Sequence, residues 1–386
     1  MKSFLFKTVF ALLVSAAFIT EAHAGFGDTA RSSKDSTKQG IAEKTTAFSA
    51  GNPEETNTDD LVESNLLSSE NYTIKTRAGV RALFHYLKST RLRGASRDKR
   101  ISYRRYFGLA KTFVRMKLYP LAMKCYYQTQ LLADVETDTA DSFNPAGDTG
   151  SIATTASADD SLSTGVLSIN ASQNHLQLAD TVFAQYLRQK QPSLPVSNDA
   201  IINSYNDGKQ AVAYAIVLHV KQPVPGKRVS FAPLNNVGHF FITLLKYNTD
   251  SGCVSRSFGF YPEKDNFLAA TPLHPGSASV LKDDALHDWD EAIGKFISRR
   301  RFEKIIRLID HYNTRKYHLS KNNCTDFGIY AANIAGISIS HTNGRWPLGR
   351  GNNPANAGQS MLEGKIINTD TGNTQDLFIC NNVGVR

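Results

Sequence analysis

Cysteine is scarce in this chain, with four among 386 residues. Four thiols are too few to staple a disulfide-rich scaffold. None sits in a C-x-x-C pair and no H-E-x-x-H occurs, so metal-ligand spacing is lacking and no cofactor is expected. A G-x-S-x-G elbow is missing too, which leaves a serine hydrolase unsupported. Beyond the N-terminus no apolar run is long enough to span a bilayer, and the mean hydropathy of -0.32 excludes a polytopic membrane protein. Hydrophobic residues nevertheless make up 41%, which excludes a wholly disordered chain. The length favours two folded units with linkers. Lys and Arg number 44 against 35 Asp and Glu, so an anionic partner fits the charge.

Residues 1–24 read as a secretory signal peptide. Lys2 and Lys7 supply the positive start, Val9 to Ile19 the short apolar core, and Ala22-His23-Ala24 the small-residue cleavage site. The core is short for a membrane anchor, so the chain is expected to be secreted or periplasmic, with Gly25 beginning the mature protein. Residues 25–72 are polar and poor in large apolar side chains, as expected of a disordered leader.

Residues 73–133 form a basic helical region. The spacing predicts helices over Tyr103–Lys117 and Leu121–Leu132 about a Leu118-Tyr119-Pro120 turn. Tyr106, Leu109, Ala110, Phe113, Ala122 and Tyr126 resemble a tetratricopeptide hairpin, with Asp134 standing where the closing Pro would be. A single unit cannot bury its own face, so a generic helical hairpin reads equally well. Between Lys75 and Lys117 fourteen Lys and Arg face one acid, Asp98. In an exported chain this charge suits an anionic envelope polymer or membrane surface; nucleic acid is disfavoured, since no nucleic-acid motif accompanies it. The alternative is a solvated face offset by the next segment. That segment, 134–175, is an acidic low-complexity linker with seven Asp/Glu and no Lys or Arg. A helical-looking stretch over Leu176–Leu187 follows.

From residue 198 to 345 the texture is α+β. Ala213–Val220, Gly238–Tyr247 and Val254–Tyr261 read as strands separated by Pro/Gly and Asn/Asp/Gly turns. Arg301–Tyr312 has helical spacing, and Lys316–Ser320 reads as extended. A helix opens near Cys324 and ends at Gly336. Residues 346–386 read as a Gly/Asn-rich tail with one short apolar segment, Leu377–Cys380.

Cys324 falls in the first turn of its predicted helix, where backbone N–H groups and the helix dipole favour a thiolate. His239 begins a strand whose alternation puts His239, Phe241 and Thr243 on one face. A histidine there can take the thiol proton and return it to a leaving group. Asn323 and Gly238, which flank the pair, are the expected substrate-contacting residues, although Asn323 can equally be a helix cap. His219, His311 and His318 are the alternative histidines. Among the other cysteines, Cys253 with Cys380 is a possible disulfide.

Gly238-His239-Phe240-Phe241-Ile242 and Asn323-Cys324-Thr325-Asp326-Phe327 together resemble the papain-like NlpC/P60 superfamily. The histidine-first order is similar to its circularly permuted branch, which includes lecithin:retinol acyltransferase-like proteins. The resemblance covers roughly residues 205–340. It implies a cysteine helix packed on an antiparallel sheet, a Cys-His thiol hydrolase, and peptide, peptidoglycan or lipid acyl substrates. The family usually carries a third polar residue on the strand after the histidine strand. That strand offers Ser257 and Tyr261, with Glu263 just beyond; Tyr261 is the choice to orient the imidazole. Three functions follow: an exported cysteine hydrolase cleaving amide bonds, an acyltransferase or lipid hydrolase on the same site, and a catalytically degenerate binding protein acting through the helical region.

Overall fold

The computed structural model describes residues 99–140, 192–230, 236–250, 252–263, 270–271, 274–346 and 349–382. The expected signal peptide, the leader, the Leu176–Leu187 helix and most of the acidic linker lie outside the described residues.

The protein is mixed α+β around one antiparallel sheet. Its seven strands run in the order β1 (Leu194–Val196), β6 (Ser279–Asp283), β4 (Cys253–Pro262), β3 (His239–Asn248), β2 (Ala211–Lys221), β7 (Glu291–Ile297) and β13 (Phe378–Asn381). All three strands predicted from the sequence form, each within two residues of its expected ends. All ten residues of β3 are buried, because both faces of this central strand are covered. Phe241, Leu245 and Tyr247 point to one core, and Phe240, Ile242 and Leu244 to the other.

The first core lies under a helical hairpin, α1 (Lys99–Arg115) and α2 (Tyr119–Ala140). Leu109, Ala110, Phe113, Ala122 and Tyr126 are buried there with the sheet residues Val217, Phe241 and Phe378. A fully buried Phe or Met contributes about 1.5–3 kcal/mol, so the hairpin's burial of Phe113 and Met123 favours docking on the sheet. This corrects the expected domain boundary: the hairpin shares the sheet's core instead of forming a separate unit. Its second helix also runs beyond Leu132, through the start of the expected linker.

The second core lies under α4 (Arg299–Tyr312) and α5 (Cys324–Ala335). Helix α5 begins with a capping box. The Asn323 side chain accepts from the amides of Thr325 and Asp326, and the Asp326 carboxylate accepts from the Asn323 amide. It ends at Gly336 in the left-handed region, the cap expected from sequence. Gly328 in this helix packs directly on the Phe240 ring, where a Cβ would overlap the aromatic carbons. That close approach brings the N-terminus of α5 to the start of β3.

Residues 346–386 are not a tail, which corrects the second expected boundary. They contain β11 (Gly349–Asn352), α6 (Pro354–Leu362), β12 (Ile366–Asn368) and the edge strand β13. The buried residues Ala357, Met361 and Ile366 join the second core, while Phe378 and Cys380 join the first. Glycine and asparagine here serve turns and caps; Asn353, for example, caps α6 by accepting from the Asn356 amide.

Candidate active site

His239 is the first residue of β3, and the backbone before it fixes its approach. Gly238 has φ 74°, and a Cβ there would overlap the Lys221 carbonyl. Gly238 therefore makes the turn that delivers the histidine; its amide is already bonded to Asn236 Oδ1 at 3.1 Å. Strands β3 and β4 pair from Tyr247–Cys253 to Phe241–Gly259 and then part. Continuing that register would set His239 opposite Tyr261. On its other edge β4 pairs with β6, Tyr261 opposite Val280, and the imidazole lies over Gly259.

Gly259 lies directly beneath the ring. A side chain at that position would strike His239 Nε2 and the Asp284 carboxylate. The imidazole Nε2 bonds Asp284 Oδ2 at 3.0 Å, and Cys324 is near enough to the ring to favour its charged form. With Nε2 committed to the carboxylate, Nδ1 is the nitrogen left for sulfur. Cys324 and His239 are 4% and 5% exposed, so the pair is screened from bulk water.

The residue that bonds the imidazole is Asp284, not Tyr261, and the sequence does not mark it. It stands one residue past β6, its amide tied to the Ser257 carbonyl at 2.9 Å. Its Oδ1 accepts from Tyr261 Oη at 2.6 Å and from Ser193 Oγ at 2.5 Å. Tyr261 thus acts one step removed: its hydroxyl holds Asp284, and its ring lies against the imidazole at 4.2 Å between centroids. The only sequence signal for Asp284 is the Asp283-Asp284 doublet closing a strand, which reads like any polar strand end.

Burial of His239 works against its charged form. The Asp284 carboxylate and the hydrogen bonds to Asp284 and Cys324 outweigh burial and raise its pKa to about 9. Burial pushes Asp284 the other way, yet the His239 charge and hydrogen bonds hold its pKa below the ordinary carboxylate value. At neutral pH the two form an imidazolium–carboxylate pair. His287 sits beside it, 5.0 Å from the His239 ring, with Nδ1–H donated to the Asp288 carbonyl at 2.7 Å. Burial and the nearby His239 charge lower its pKa, so its ring stays neutral.

The expected role of Asn323 is corrected. Its Oδ1 accepts from Thr325 and Asp326, and its Nδ2 donates to the carbonyls of Leu319 and Asn352 at 2.9 and 2.8 Å. The side chain is fully buried and saturated, so it is a cap with no group to offer a substrate. Tyr317 is buried beside Cys324, and burial and then the thiol raise its pKa.

Of the alternative histidines, His219 is completely buried, with Nε2 2.9 Å from Thr243 Oγ1. His311 is exposed and contacts Arg315, and His318 bonds the Ser320 amide. All four cysteines are free, so Cys253 and Cys380 are not bridged. A cavity of about 1040 Å³ opens near the far ends of β2 and β3, lined by Tyr205, Tyr214, Lys246 and Phe302, and touches none of these groups.

The chain matches no protein-family model, and no curated protein or solved structure is significantly similar to it.

Proposed function

We propose that this protein is a thiol hydrolase that cleaves amide bonds through Cys324, His239 and Asp284. The observation that carries this reading is the buried His239–Asp284 contact at the start of β3, against which the Cys324 end of α5 is packed. Cys324 Sγ attacks the acyl carbon while His239 holds the thiol proton. The C–N bond breaks as the imidazolium passes that proton to the departing amine. Water, deprotonated by His239, then cleaves the thioester and restores the thiol. Backbone N–H groups at the start of α5, beside Cys324, are assigned to stabilise the oxyanion.

More specifically, the histidine-first order and the α5-on-sheet packing support membership of the permuted NlpC/P60 papain-like group. Within that group, the expected export and basic hairpin favour a cell-wall peptide or another peptide as substrate. The degenerate-binding alternative was motivated by the lack of a conventional third residue; Asp284 supplies a group of that kind. Acyl transfer remains a second reading because the near-complete burial of Cys324 and His239 would shield an acyl-enzyme from water.

Purified protein incubated with muropeptides and peptides is expected to release amines in an iodoacetamide-sensitive reaction that C324A abolishes. Full activity in C324A would overturn the proposal. A persistent acyl adduct on Cys324 after incubation with phospholipid or thioester, without muropeptide cleavage, would select acyl transfer.

A further inference from the structure

The loop between β6 and β7, residues 284–290, carries both Asp284 and His287. It is held from outside the catalytic sheet by the turn of the helical hairpin. Lys117, at the apex between α1 and α2, has φ 61°, a left-handed backbone unusual for lysine. This conformation accompanies a buried side chain, only 4% exposed. Its Nζ donates to the Leu286 carbonyl at 2.5 Å and to Asp288 Oδ1 at 3.1 Å. Those acceptors flank His287, whose ring rests against His239.

Neighbouring contacts reinforce the hold. Arg115 Nε donates to Asn382 Oδ1 at 3.1 Å, and the Asn382 amide donates to the Asp290 carbonyl at 2.7 Å. Tyr119, the first residue of α2, packs its ring on His219 at 4.6 Å; His219 stacks on Phe241, and Phe241 on His239. A lysine is costly to bury, so its two acceptors offset the desolvation only while the loop keeps this path.

We infer that Lys117 is a positioning residue, through which the basic hairpin fixes the 284–290 loop and thereby the Asp284–His239 contact. This rests on the Cys-His-Asp reading above. It also assigns part of the hairpin's basic character an inward role. Lys117 faces Asp288 and Lys221. The groups facing His239 are Asp284, Cys324, Tyr261 and His287.

The test is the pH profile of Cys324 alkylation by iodoacetate, followed by mass spectrometry. The anionic reagent reports the neighbouring imidazolium, so the alkaline limb marks loss of the His239 proton. In the wild type that limb is expected near pH 9, the raised pKa of His239. In K117M it should move down by about one pH unit, and K117R, which keeps a cationic donor, should restore it. D288A removes one of the two acceptors at an exposed position and should shift the limb in the same direction by less. It serves as the variant of record if K117M does not fold by circular dichroism. A wild-type limb near 9 that K117M or D288A leaves in place overturns the inference alone. Lack of that limb in the wild type overturns the Cys-His-Asp reading beneath it.

Discussion

Asp284 lies 45 residues from His239 along the chain and 3.0 Å from it in space. The carboxylate reaches the imidazole across Gly259, from a loop beginning one residue beyond β6, and the contact favours the protonated ring in the resting protein. The consequences can be measured at each of the groups involved.

Replacing Asp284 by Asn keeps the shape but removes the charge. An amide can also present the wrong hydrogen to the ring. Turnover should fall by about 10³–10⁴-fold, by analogy with other carboxylate–histidine pairs, with the fold retained by circular dichroism. Near wild-type turnover in D284N would remove Asp284 from the mechanism.

Gly259→Ala tests the same contact without touching a polar group. Its methyl must displace His239 or Asp284, because both occupy the space of a Cβ. The expected cost is about 1–3 kcal/mol in denaturant unfolding, with a disproportionate loss of Cys324 reactivity. Unchanged alkylation kinetics would mean that the imidazole is not held over this residue.

Tyr261→Phe should behave differently. It removes the 2.6 Å hydrogen bond to Asp284 but keeps the ring against His239. Stability should drop by about 1.5–3 kcal/mol, while turnover persists at a reduced level. A loss as large as that of D284N would show that the tyrosine is catalytic after all.

The His239 pair also sets a pH window for stability. Its folded pKa near 9 lies above the unfolded value of about 6.5. Its contribution is therefore complete below about pH 6.5 and lost as pH rises through 9, on the order of 3 kcal/mol in total. Asp284 has a lowered folded pKa, so its contribution is present above its unfolded pKa and lost on acidification. Melting curves across pH should show both limbs, and H239Q should erase the alkaline one.

Glu291 has the opposite sign for a carboxyl. Both of its oxygens are buried without partners beneath α6, and burial, then the nearby Asp290, raise its pKa to about 8. Stability from keeping it neutral is full below the unfolded value of about 4.3 and declines until pH passes about 8. E291Q should flatten that slope and melt higher than wild type at pH 8 and above. A parallel pH profile in E291Q would assign the slope to another group.

The sequence by itself determined the local structure around the two reacting groups. Alternation in β3, the Asn323–Asp326 capping box and the Gly336 stop are set by neighbours within a few residues, so they are legible without a fold. The pairing of His239 with Cys324 was legible too, as a strand start and a helix start of matching chemistry. Tertiary structure alone decided the rest. Asp284 and Ser193 reach the site, and Lys117 the loop behind it, across strand order and loop path, which carry no periodic signal. Tyr261 is on the expected strand, but its hydroxyl bonds the Asp284 carboxylate, whose position depends on how β6 and its loop are placed. The hairpin's docking was likewise hidden, because apolar spacing reveals that a helix has a face to bury but not which surface will bury it.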